Sequence, residues 1–117
     1  MSAQKFHAKM VNYLDEYQQY LLFIKSDCTA AAHVDIVHRF INYLYNHYLI
    51  SSVYQITVSI ANSKFLADYN RKNKAQVPKE MMKDILNGFF VFVYGKHGIK
   101  NEKLMKGFHV KTSKDLV

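Results

Sequence analysis

Residues 86–101 read LNGFFVFVYGKHGIKN, and the fold turns on what the seven uncharged residues from Phe89 to Gly95 become. Spanning a bilayer as a helix takes about 20 mostly apolar residues, and this run is far shorter. Aromatic and β-branched residues favour strands, so a buried strand is the competing reading of FFVFVY. Three features favour a helix. MMKDIL before the run is helix-forming, no second strand of equal strength exists to pair with it, and Met82, Ile85 or Leu86, Phe89 and Val93 recur at helical spacing. The helix is expected to open at Pro78, whose missing N–H costs nothing in a first turn, with Glu80 complementing the helix dipole. Gly95 or Gly98 can close it in a left-handed conformation. Phe89, Phe92 and Val93 are the expected core residues.

Upstream the apolar rhythm is also helical. Met10, Leu14, Tyr17, Leu21 and Ile24 form one stripe, and Val34, Val37, Ile41, Leu44 and Tyr48 form a second, in a helix expected over about Thr29–His47. Ser26, Asp27 or Thr29 can cap that helix. Leu49–Tyr54 is broken by Ser51 and Ser52 and reads as a connection. A third helix is expected to begin at Thr57 or Ser59, burying Ile60, Ala61, Phe65, Leu66 and Tyr69, and to dissolve into a polar loop at Arg71–Gln76. The fold class is therefore all-α, a compact bundle of four to five helices in one domain over residues 1–117. Its core is expected over about 8–105, with a basic, mobile tail over 106–117.

The composition is that of a chain that folds, half hydrophobic with nine Tyr and eight Phe, the opposite of the balance disorder needs. No stretch approaches a membrane span or a secretory leader, so no membrane partner is expected. The lone Cys28 cannot make an internal disulfide, which fits a reducing, cytoplasmic setting, and is expected to be a small packing residue at a helix start. Sixteen Lys and Arg face nine Asp and Glu, giving +7. Residues 1–28 and 29–70 each sum to zero, so the whole excess lies in residues 71–117. A basic half of this kind attracts polyanions.

Motifs for chemistry are absent. The six histidines are His7, His33, His38, His47, His97 and His109, without close Cys or His zinc spacing. GxSxG, GxxxxGK[ST] and GxGxxG do not occur, and Asp15 and Glu16 diverge on a helix. No enzyme activity, metal or cofactor is expected. Binding is the better expectation. Lys79 and Lys83 share a helix face that Asn87 continues, and Arg71, Lys72 and Lys74 crowd the preceding segment. Such groups neutralise phosphates with little sequence discrimination. Tyr43, Tyr54 and Tyr94 fall partly off the core stripes and are candidates for a protein interface.

In order, YLDEYQQYLLFI, VHRFINYLYNHYLI, ITVSIANSKFLADYNRKN and PKEMMKDILNGFFVFVYGKHGIKN resemble the core-binding, SAM-like four-helix domain of tyrosine recombinases and phage integrases. The likeness runs over about residues 8–105. It rests on RFINYL in the second helix, the Ile56–Thr57 pair before the third, and Phe89, Phe90, Phe92, Gly98 and Asn101 in the last. The resemblance implies a clamp that grips double-stranded DNA with its second and fourth helices. The implied contacts are His38 and Arg39 on the second, and Lys79, Lys83 and Asn87 on the fourth; Lys96 and Lys100 extend the basic set. The family's catalytic domain has no counterpart, since this chain lacks its His-x-x-Arg motif and cannot hold that domain. The chain opens MSAQKF and closes KTSKDLV with no linker-like composition, as expected of a free-standing protein rather than an excised domain. The expected function is a non-catalytic DNA-binding or regulatory module. The alternative is a small phage or mobile-element regulator that binds a host or phage protein.

Overall fold

The computed structural model describes residues 2–108. Within them the chain forms five α-helices: α1 (Ala3–Ile24), α2 (Asp27–Tyr48), α3 (Phe65–Lys72), α4 (Lys79–His97) and α5 (Glu102–Phe108). No strand occurs among the described residues. The helix ends follow local chemistry. The side chain of Ser26 accepts a hydrogen bond from the Thr29 amide and starts α2. Thr57 Oγ1 accepts from the Ile60 amide, and the chain is helical from Val58 onward. A single π turn over Ile60–Lys64 precedes α3. It buries Asn62, whose side-chain polar atoms have no hydrogen-bond partner among the described residues. Gly98, at φ +70°, terminates α4, while Gly95 lies inside the helix.

FFVFVY is therefore helical, and the strand alternative falls. The reason is tertiary as well as local, because α4 packs on several neighbours. Phe89 meets Tyr17 of α1 edge-on at 5.6 Å between ring centres, and Phe90 meets Phe40 of α2 at 6.2 Å and Phe108 of α5 at 6.2 Å. Phe40 in turn stands edge-on to Phe65 of α3 at 5.1 Å. Phe40, Phe65, Phe89 and Phe108 are fully buried, each worth about 1.5–3 kcal/mol for its removal from water. Phe90 takes the core place expected of Phe92, which is half-buried.

Four boundaries differ from the sequence reading. α1 starts at Ala3 and buries Phe6, so the core reaches further back than residue 8. Arg71 and Lys72 form the last turn of α3, leaving the loop to residues 73–78. Cys28 does stand at a helix start but is exposed, so it packs against nothing. The fourth difference is α5, where a basic tail was expected. Residues 106–108 belong to it and Phe108 is core; residues 109–117, with His109, lie outside the described residues. Asn101 makes α5 possible. Its Nδ2 donates to the carbonyls of Val53 (2.8 Å) and Ile56 (3.1 Å), while its Oδ1 accepts from the Leu104 amide at 3.1 Å. One buried amide thus caps α5 and ties it to the α2–α3 connection.

Candidate nucleic-acid edge and apolar groove

The basic candidates separate into two groups. Lys79 and Lys96 stand 17 residues apart on α4, about 25 Å at 1.5 Å per residue, so one patch does not hold them all. At the first end, Arg39 of α2 bonds Asp35 at 3.0 Å and donates at 3.3 Å to Asn73 Oδ1, with its guanidinium 5.7 Å from the Tyr69 ring. That contact joins α2 to the loop after α3. The loop is laced by side-chain bonds. Asn70 exchanges two hydrogen bonds with the Val77 backbone (3.0 and 2.8 Å), Asn73 donates to the Tyr69 carbonyl at 2.7 Å, and Gln76 donates to the Asn70 carbonyl at 2.7 Å. Lys74 is thus carried on an ordered turn beside the start of α4.

Acidic residues occupy part of this edge. Asp68 takes Arg71 at 2.6 Å and Lys72 at 3.0 Å. Burial opposes its ionisation, but Lys72 and Arg71 outweigh that and hold its carboxyl below the usual range. Lys83 is largely covered and lies 3.6 Å from Glu80. Lys74 and Lys79 are exposed and enter no ion pair among the described residues. His38 is exposed on α2. Asn87 does not continue an open basic face; it is half-buried and lines a groove against α1.

At the far end of α4, Glu16 of α1 receives Lys96 and His97, each at 3.0 Å. The Lys96 bond, helped by His97 against some burial, lowers the Glu16 pKa. Lys100 pairs with Glu102 at 3.2 Å and sits 5.1 Å from the Tyr94 ring centre. These contacts make Lys96 and Lys100 parts of helix junctions.

Of the three tyrosines marked for a protein interface, Tyr54 is mostly exposed and Tyr94 partly so. Tyr43 is half-buried, 5.4 Å from Phe65 and 4.4 Å from His47, and burial followed by Tyr48 pushes its phenol up to about 12. A larger apolar surface went unseen in the sequence. An open groove of about 730 Å³ runs between α1 and α4, with Tyr17, Tyr20, Leu21 and Ile24 on one wall and Val91 and Phe92 on the other. Gly88 lets the helices close, since a Cβ there would stand 2.7 Å from Tyr17 Oη. Burial, with Tyr20 adding, pushes the Tyr17 phenol up to about 12. Along α1, Tyr20 is 45% exposed, Ile24 55% and Phe23 90%. The signal was present in YLLFI, residues 20–24, because a one-sided helix cannot bury five successive apolar residues.

Among the described residues no cluster of three or more His, Cys, Asp or Glu is placed to hold a metal ion, and no helix is long and apolar enough to cross a membrane. No family model matches the chain, and no curated protein or solved structure matches it.

Proposed function

We propose that this chain is a non-catalytic module that binds the backbone of double-stranded DNA. The surface used is the edge made by α2, the end of α3, the 73–78 loop and the start of α4. The observation that carries the reading is the Arg39–Asn73 hydrogen bond, which brings a base from α2 to the basic segment holding Arg71, Lys72, Lys74 and Lys79. The edge then gathers Arg39, Arg71, Lys72, Lys74, Lys79 and Lys83 against Asp35, Asp68 and Glu80. Its ion pairs do not block it. Arg71 keeps 74% of its side chain exposed in its pair with Asp68, so its guanidinium stays open to phosphate. The resemblance to integrase core-binding domains supports the same two helices. With Lys supplying most of the charge, the contacts are to phosphate and discriminate sequence weakly.

The test is a mobility shift on random duplex DNA at two salt concentrations. Four to six neutralised phosphates give a log–log salt slope of about −4 to −5, and Lys79→Glu with Lys83→Glu removes the shift. Absence of any shift at low salt sinks the DNA reading. A second reading is favoured by Tyr20, Ile24 and Val91, which line the α1–α4 groove and stay about half exposed: the groove receives the apolar face of a partner's amphipathic helix. That binding tolerates salt and is lost on Ile24→Ser.

A further inference from the structure

A second space in the fold has a different chemistry from the basic edge and the α1–α4 groove. It is a half-open cavity of about 370 Å³ enclosed by α1, the α2–α3 connection, the second half of α4 and the turn into α5. Interiors pack with few voids larger than one water, whereas this space has room for about a dozen. Its walls are chiefly apolar, with Phe6, Met10, Phe90, Val93 and Leu104 contributing, a lining that holds water poorly. Asn101 also borders it, but that amide is committed to its three backbone bonds and is closed to a ligand.

Among the other polar residues of the lining, Lys9 and Ser52 have donors that a ligand could use. Among the described residues, Lys9 is the only charged one of the lining. It enters no ion pair among the described residues, and its Nζ lies 5.8 Å from the ring centre of Tyr13, which also lines the space. The hydroxyl of Ser52 accepts from the Tyr54 amide, which leaves its proton free to donate. The other two clefts each carry a carboxylate, Asp84 in one and Asp68 in the other; this one carries none. From an apolar chamber with a single unmatched ammonium at its rim, we infer that the cavity is a binding site for a small amphipathic monocarboxylate. The apolar body, roughly ten to fourteen heavy atoms by volume, lies against Met10, Phe90 and Val93. The carboxylate accepts from Lys9 Nζ and the Ser52 hydroxyl.

Isothermal titration of the full chain with octanoate, 1-octanol and octylammonium tests the site, because the three probes share a body and differ in head charge. Octanoate binds about fivefold or more tighter than octanol, and octylammonium is weakest. Lys9→Gln, an exposed substitution that leaves the core intact, abolishes the preference for octanoate. Val93→Phe fills the chamber and removes binding of octanoate and octanol; Met105→Trp, on the half-buried side of α5, serves the same purpose if Val93→Phe does not fold. No binding of octanoate, equal binding of all three probes, or a preference unchanged in Lys9→Gln overturns the inference. These outcomes are independent of DNA binding, which uses other bases at another edge.

Discussion

The cleft between α1 and α4 and the cleft between α2 and α3 are built alike and finished differently. A buried phenylalanine supports each: Phe89 packs edge-on beneath Tyr17, a wall of the first, and Phe65 lines the second. Beyond these rings the α1–α4 cleft is walled by Tyr20, Ile24, Val91 and Phe92, whereas the α2–α3 cleft carries Arg39, Asn42, Asn46, Asp68, Lys72 and Asn73. The buried ring holds the helices together in both. The rim decides what each cleft meets, water and charge in one, apolar surface in the other. Stability rests on the buried phenylalanines and, on the proposed reading, binding on the rims, so substitutions should separate them.

The largest expected effect is at the two buried rings. Phe89→Ala and Phe65→Ala should each cost about 3–5 kcal/mol, read as a loss of denaturation midpoint; a cost under 1 kcal/mol at either would break the likeness between the clefts. Asp68→Asn sharpens the contrast at the rim. It frees Arg71 and Lys72, both mostly exposed, from a carboxylate that is itself 13% exposed, and on the proposed reading should tighten DNA binding at low salt severalfold. Unchanged or weaker binding would show that these bases do not face phosphate.

Acid should act on both clefts through the same sign. Asp68 and Glu16 have lowered carboxyl pKa values and His33, depressed by burial and then by Lys25, has a lowered imidazole pKa. Each binds fewer protons folded than unfolded, so its contribution is present above the unfolded pKa and lost as pH falls through the folded one. The melting temperature should decline first as pH falls from 6.5 through the His33 transition, then further below 4.5. In alkali the sign reverses for Tyr17 and Tyr43, both pushed up to about 12. Their stabilisation should vanish as pH rises from 10 through 12, seen as delayed tyrosinate absorbance. The smallest effect belongs to Phe23→Ser, within about 0.5 kcal/mol of the parent, since that side chain is scarcely covered. A large loss there would mean that the apolar rim is a structural element.

Much of the fold was legible. Helical spacing placed α1, α2, α3 and α4, and the expected stripe of α4 (Met82, Ile85, Leu86, Phe89 and Val93) is buried throughout. Ser26 and Gly98 mark helix ends, as their side-chain chemistry and backbone freedom dictate. Stripes were less reliable at helix ends, where Ile24 and Tyr48 leave the core because the neighbouring helix no longer covers them. The candidate site was legible as a list of bases and not as a surface. Lys79 and Lys96 belong to one helix and to separate regions, and Lys83 and Asn87 share a spacing with Lys79 without sharing its exposure. Periodicity gave no sign of the π turn, and YLLFI showed that α1 ends in exposed apolar residues without showing that they would face α4, because both outcomes depend on what packs opposite.

By itself the sequence determined that this chain is helical, that its apolar residues suffice for a core, and that its net positive charge falls after residue 70. These follow from spacing, composition and counting, which are properties along a chain. Only the tertiary structure decided which bases stand unpaired among the described residues, that Asn101 caps and docks α5 over Glu102–Phe108, and that Lys9 stands without an ion partner among those residues at the rim of an apolar chamber. Those outcomes depend on distances between residues far apart in sequence, and electrostatic and packing energies are set by distance through space.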